Sequence, residues 1–360
     1  MTRGPNGGIY TRRRTRLTGR VLPDLIDALS LTSPVTYVAV FVLASLLMLW
    51  RLEAMLDQGL EGTALGTLVT PYCSGLGNIL FVFIIVQRGG QAGEVLTNCL
   101  VNNVTNLTLL LGLPAVLWGL PVMPAARAAA GKGRARKPAR ASGSAVMGAQ
   151  INRLSLLLTL AGGVFFSGAT WIMAQNGRLT RTDGLLLVGL FLFWQSFQVF
   201  DVLKHNVRRK ISFGPGFYVD AVVVLGSAWA LYGSIDWLVA WISAQKSGFI
   251  SVEHLGWLSG WLMVLPNGLL AFYWGWKRRA DVVYTSQVGD GHISIPLCLG
   301  LYALLMPAAI PAAFARGLVL LIGAGAIHMF CLAAFGGLPR WAGALLLAAY
   351  AWFVWDGLLS

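Results

Sequence analysis

Polar residues sit within apolar sequence in both halves of the chain, among them Ser74, Asn78, Asn102 and Asn106 in the first, and Asn267, Asp290 and Ser294 in the second. Their amide, hydroxyl and carboxylate oxygens can replace a cation's hydration shell, and backbone carbonyls freed where a membrane helix is interrupted add to them. Calcium takes roughly six to eight oxygens and is held more tightly as ligand charge rises. Asparagine offers an oxygen without charge, so Asp290 is the only carboxylate of the set. One carboxylate balances a monovalent ion or a proton and leaves a divalent ion half-compensated. An acid at the bilayer centre is costly and is by default a functional candidate. The alternative for Asp290 is pairing with a neighbour such as His292. Asn78 or Asn267 taken alone could simply cap an interrupted helix, but their occurrence as a pair favours a shared site.

These residues lie in two similar stretches. The first runs from Gly59 to Gly112: Leu76-Gly77-Asn78, a charged turn at Arg88, Asn98 through Asn102, Asn103 and Asn106, and a close at Leu111-Gly112. The second runs Leu265-Pro266-Asn267, a turn at Lys277-Arg278-Arg279, then Gly289-Asp290-Gly291-His292 and Ser294, closing at Leu299-Gly300. From Asn78 to Gly112 is 34 positions and from Asn267 to Gly300 is 33, so the copies agree to within one residue.

The elements that must position them are membrane helices. Hydrophobic residues make up 56% of the 360 and charged residues 11%, with mean hydropathy +0.69. A soluble domain carries about 25% charged residues. Apolar runs of about 17–25 residues are long enough to span a bilayer. Ten are expected, near 35–50, 62–87, 94–119, 154–174 and 183–203, then 217–243, 255–276, 281–306, 311–335 and 340–357. The predicted fold class is therefore all-α: a polytopic membrane protein with about ten transmembrane helices in two inverted five-helix repeats, some of them broken. An odd number of spans per half inverts the second half, a recurrent plan of secondary transporters with the substrate site at the midplane.

The expected organisation is a basic tail and interfacial helix at 1–33, a first membrane half at 34–203 and a second at 217–360. The first half holds the repeat at 59–113 and a polar, disordered loop at 122–152; the second holds the repeat at 250–301. Between the halves lies a basic hinge at 204–216 that ends on Phe213-Gly-Pro-Gly216. Of the 27 lysines and arginines, 16 fall in the odd-to-even loops, which places those loops in the cytoplasm and both termini outside. The arginine-rich tail runs against that count. A net charge of +13 confined to loops and tail implies lipid headgroups as partners, not nucleic acid. Cys73, Cys99, Cys298 and Cys331 lie in apolar runs without metal-ligand spacing and are expected to be packing residues.

At these residues the chain resembles the calcium/cation antiporter superfamily, the sodium/calcium exchanger family in particular. Each repeat of that family reads approximately G-T-S-L-P-E, a charged turn, then G-N-x-x-G-S-N-x-x-N and an apolar run ending L-G. The second copy here keeps Leu265-Pro266, Ala280-Asp281, Gly289 and Leu299-Gly300; the first keeps Leu76, Arg88-Gly89, Asn98, Asn103, Asn106 and Leu111-Gly112. The resemblance implies a cation site at Asn78, Asn267 and Asp290, with Ser74, Asn102, Asn106 and Ser294 around them. It also shows departures. Both family glutamates are replaced by asparagine, at Asn78 and Asn267, and the hydroxyl pair of the second copy is replaced by Met263 and Val264.

The implied function is a sodium/calcium exchanger-like secondary cation antiporter with an altered ion site, in a bacterial inner membrane. Its cargo would be sodium, potassium, calcium or a proton, without a cofactor. The alternative is a transport-inactive exchanger-fold subunit or anchor, whose partners would be other subunits of a membrane complex. No G-x-S-x-G elbow, phosphate loop or H-E-x-x-H helix supports an enzyme.

Overall fold

The computed structural model describes residues 33–60, 69, 71–123, 143–206 and 214–358. The tail and interfacial helix, residues 124–142 of the polar loop and residues 207–213 of the hinge lie outside the described residues. Among those described, nine helices are long and apolar enough to cross a membrane. They are Pro34–Gln58 (span 1), Ala92–Trp118 (span 3), Gln150–Asn176 (span 4), Arg181–Lys204 (span 5), Pro215–Ser243 (span 6), Val252–Trp276 (span 7), Ala280–Leu305 (span 8), Ala313–Phe335 (span 9) and Arg340–Leu358 (span 10). The shorter apolar helix Leu76–Arg88 is span 2.

Ion pairs fix the sidedness of these segments. Asp220 and Asp236 stand near opposite ends of span 6, sixteen residues and therefore about 24 Å apart. Arg51, near the end of span 1, pairs with Asp220 at 3.3 Å, and Arg88, at the end of span 2, pairs with Asp236 at 2.6 Å. The chain between Arg51 and Arg88 must therefore cross the membrane. Arg316 at the start of span 9 pairs with Asp356 at the end of span 10, as a ten-span count requires.

Two small antiparallel ribbons report the inverted symmetry. Strand β1 (Leu120–Pro121), after span 3, pairs with β4 (Gly337–Leu338), before span 10. Strand β2 (Arg178–Leu179), before span 5, pairs with β3 (Ala308–Ala309), after span 8. Exchanging each first-half span for its second-half equivalent converts one ribbon into the other. Spans 3 and 8 form the centre: 72% of each apolar window is buried, against 18% for span 5 and 22% for span 10. The outer spans present apolar side chains such as Phe193 and Trp229 to the lipid.

The Leu-Gly pair closing each repeat acquires a physical reason here. A β-carbon on Gly343 of span 10 would lie 2.7 Å from the Gly112 carbonyl oxygen. In the other half, one on Gly184 of span 5 would lie 2.7 Å from the Gly300 oxygen and 2.5 Å from the Leu304 nitrogen. Each repeat thus ends in a glycine-to-glycine helix crossing, the small-residue packing by which membrane helices associate. The partner glycines sit in a repeated pattern, Leu179-Thr-Arg181-Thr-Asp-Gly184 and Leu338-Pro-Arg340-Trp-Ala-Gly343. Gly184→Ala and Gly343→Ala should each destabilise the fold by about 1–3 kcal/mol through forced separation of backbones. Gly189→Ala, on the same helix as Gly184 but with nothing within 4 Å of its added carbon, should be neutral. Thermal unfolding in detergent checks this, and equal melting temperatures for Gly184→Ala and Gly189→Ala would refute it.

Two expectations change. The polar loop stops short of 152, because a helix begins at Gly143 and continues into span 4. The Ala, Met, Gln and Ile residues of 145–151 are compatible with propagating that helix backwards from its apolar body. Likewise the span 5 helix runs on to Asn206, inside the expected hinge.

Candidate functional site

Span 2 is interrupted where its polar residues begin. The helical turn ending at Ser74 gives way at Gly75, and the regular helix starts at Leu76. A β-carbon on Gly75 would lie 2.4 Å from Ile293 Cγ2, so only glycine lets this break sit against span 8. Gly77 gives the same closeness to span 7, where Met263 Sδ would lie 2.7 Å from an added carbon. Met263 occupies one of the hydroxyl positions expected for the second copy, so a thioether there fills space over Gly77 and the ring of oxygens is asymmetric.

Span 7 carries Pro266 and Asn267 within the helix Leu255–Trp276. Span 7 is therefore assigned as one continuous helix, although proline removes one backbone donor and frees a carbonyl a turn earlier. It packs closely on span 3: β-carbons on Gly256 and Gly260 would each lie 2.7 Å from Thr97 and Val101 respectively.

The interruption in spans 3 and 8 is a π-turn in the same place in both copies, Thr105–Leu110 and Ile293–Cys298, 188 positions apart. The residues just before and within it are the expected site residues. Asn102 precedes the first π-turn and Asn106 lies in it; Asp290 precedes the second and Ser294 lies in it. All four are buried, as are Asn78 and Asn267.

The contacts join these positions into two groups. Asn267 Nδ2 donates to Asp290 Oδ2, and the Ser74 hydroxyl lies close to the same carboxylate. Asn106 Nδ2 donates to Asn102 Oδ1 at 3.3 Å. The two serine hydroxyls donate to backbone, Ser74 to Pro71 O at 3.0 Å and Ser294 to Asp290 O at 3.1 Å, which leaves their oxygen lone pairs as acceptors. Asn78 Oδ1, Asn102 Nδ2 and Asn106 Oδ1 are buried without a partner. Ser74, Asn78 and Asn267 line one small cavity with Ser45 and Met48 of span 1 and Leu231 of span 6. A second cavity lies among spans 3, 4, 8 and 9, lined by Asn103, Ser167 and Gly291. Under the pseudo-symmetry each cavity maps onto itself.

Charge separates Asp290 from the other acids of the described helices. Asp220, Asp236, Asp281 and Asp356 each meet an arginine, Asp183 and Glu94 accept backbone N–H groups at helix starts, and Glu53, Asp57 and Glu253 are exposed. Asp290 is 2% exposed and its partners are neutral. His292, two residues on, faces away from it: its Nε2 meets Thr159 O at 2.8 Å, and its ring lies edge-on to Phe166 and Trp194. His328 bridges Tyr284 and the Leu107 carbonyl of the first π-turn, a structural role. Among the described residues, no three His, Cys, Asp or Glu side chains converge on a metal position.

Gln287 was not among the expected site residues. It is fully buried, one turn before Asp290; its Nε2 reaches the Asn267 carbonyl at 3.4 Å and its Oε1 has no partner. Asn267 is therefore held at its backbone by Gln287 and at its side chain by Asp290. A polar residue three positions before the acid on a buried helix was the available signal. Asn98 similarly ties span 3 to span 7 through Ser259 Oγ at 2.9 Å.

No family model matches the chain, and no curated protein matches it. Solved structures do. A structure of the sodium-calcium exchanger NCX_Mj soaked with 2.5 mM Na+ and 10 mM Sr2+ superposes with a TM-score of 0.57 at 16% identity, over 90% of this chain and 98% of that one. A form soaked with 2.5 mM Na+ and 0.1 mM Ca2+ gives 0.57 at 17% identity, with the same coverage of both chains. The fold is that of a sodium-calcium exchanger. Identity this low carries the exchanger fold alone to this chain. The two ribbons, paired π-turns and paired glycine crossings are then features of one inverted-repeat plan.

Proposed function

We propose that this protein is a secondary cation antiporter of an inner (plasma) membrane, whose ion site is built on Asp290, Asn78 and Asn267 with Ser74, Asn102, Asn106 and Ser294 around them. The observation that carries this reading is a buried carboxylate, without a basic partner, held by neutral groups beside a cavity into which both repeat asparagines reach. A structural acid at this depth would be paired with a cation, as Asp220 is with Arg51. The unpartnered oxygens of Asn78 and Asn106 are suited to an ion's coordination shell. One negative charge favours a monovalent cation, sodium or potassium, or a proton on Asp290, over calcium. No resident cofactor enters this scheme; the surrounding partners are membrane lipids.

Flux measurements test it. Purified protein in liposomes should move sodium or potassium in exchange for a counter-ion gradient, with calcium a poor substrate. Absence of flux for sodium, potassium, calcium and protons in well-folded protein would replace this reading with that of an exchanger-fold subunit of a membrane complex.

A further inference from the structure

The ion pair between Arg88 and Asp236 has a pseudo-symmetric counterpart that is not made. Asn78 and Leu231 both line the cavity at the site. Arg88 lies ten residues beyond Asn78 on span 2, and Asp236 five residues beyond Leu231 on span 6. Met48 and Asn267, on spans 1 and 7, the symmetry equivalents of spans 6 and 2, line the same cavity. Ten residues beyond Asn267 on span 7 is Lys277, and five beyond Met48 on span 1 is Glu53. At 1.5 Å per residue the lysine and arginine each stand about 15 Å from the cavity, and each acid about 7 Å, on opposite sides of the membrane. Charge type, helix and height therefore correspond in both pairs.

Their states differ. Arg88 grips Asp236 through two nitrogens, Nε at 2.9 Å and Nη2 at 2.6 Å. Glu53 and Lys277 are exposed and, among the described residues, make no ion pair; the Lys277 ammonium lies over the Trp276 ring at 4.8 Å. The turns agree in backbone: Gly89 and Arg278, each the residue after the cation, take left-handed φ of 66° and 57°. In an inverted-repeat protein, the two membrane-facing states exchange the conformations of the halves, so a contact made by one half in one state is made by its equivalent in the other.

We propose that Arg88–Asp236 and Lys277–Glu53 are alternating latches, one closed on each side of the membrane in turn, so that formation of one requires release of the other. This rests on the alternating-access reading for its role in transport and for the exclusivity of the two pairs; their correspondence in helix and charge stands on the repeat geometry. A partly exposed ion pair shifts such an equilibrium about 1.5- to 5-fold, so these latches bias the two states without locking them.

Cysteine cross-linking in full-length protein, with Cys73, Cys99, Cys298 and Cys331 replaced, tests this. Glu53→Cys with Lys277→Cys should cross-link weakly when Arg88 and Asp236 are intact. The yield should rise about 1.5- to 5-fold when Arg88→Gln opens the other pair. Joining Arg88→Cys to Asp236→Cys with a non-reducible linker first should then suppress it. A yield unaffected by either change, or both pairs cross-linked fully in the same molecules, would overturn the proposal. Should Arg88→Gln fail to fold, Asp236→Asn opens the same pair with a smaller change. Flux measured alongside separates the two ideas: coupled cross-linking without transport leaves the latches standing and removes the antiporter, whereas transport with independent cross-links removes the latches alone.

Discussion

Asp290→Asn is expected to abolish cation binding and transport while leaving the protein folded. The carboxylate receives the Asn267 amide, lies close to the Ser74 hydroxyl and, among the described residues, meets no basic side chain. A unit-charge pair at 4 Å with an effective dielectric near 20 is worth about 4 kcal/mol, or roughly a thousandfold in affinity. The substituted amide oxygen can still accept from Asn267 Nδ2, so the hydrogen bond joining spans 7 and 8 survives. A neutral group is also cheaper to bury than an unpaired carboxylate, so stability should be unchanged or raised. Sodium or potassium titration, flux and thermal unfolding together read this. A folded Asp290→Asn variant that still transports would show that the ion is held elsewhere.

The double variant Asn78→Glu with Asn267→Glu should gain calcium binding, and that binding should weaken as pH falls. Both asparagines line one cavity, so two added carboxylates would join Asp290 around a shared volume. Three carboxylates supply the charge a divalent ion needs at such a site. Without the ion they repel. The substitution at 267 also removes the amide donor from Asp290 and sets an acid against it, so the pair should hold a proton between them. Calcium must displace that proton, and affinity therefore falls with acidity. Calcium titration near pH 8 and again near pH 6 checks both sign and size, with an expected gain of at least about a hundredfold over the unaltered protein at the higher pH. A well-folded double variant without calcium affinity would mean that the two positions share a wall but not a coordination shell. Coupled with unaltered behaviour of Asp290→Asn, it would favour the subunit reading.

Much of the architecture follows from the sequence because the bilayer restricts what the chain can do. Hydropathy alone marks apolar runs of spanning length, since every backbone group in hydrocarbon must be paired within a helix. The matched spacing of Asn78–Gly112 and Asn267–Gly300 identifies the repeats, and an odd span count per half inverts them. The polar positions Asn78, Asn102, Asn106, Asn267, Asp290 and Ser294 stand out because each costs free energy in an apolar setting unless something compensates it.

What the tertiary structure alone decides is which polar groups meet. Sequence spacing cannot say that Asn267 binds Asp290 while Asn78 keeps a free oxygen, because that depends on how spans 2, 7 and 8 approach one another. It cannot separate Gln287 from other buried amides, because the atom that distinguishes it, the Asn267 carbonyl, is on another helix. Nor does it show that Gly112 and Gly300 close their repeats by meeting Gly343 and Gly184, since a helix crossing is a property of two segments far apart in the chain. Local pattern determines helices and their inversion; contacts between helices determine where the oxygens point, and so what the site can hold.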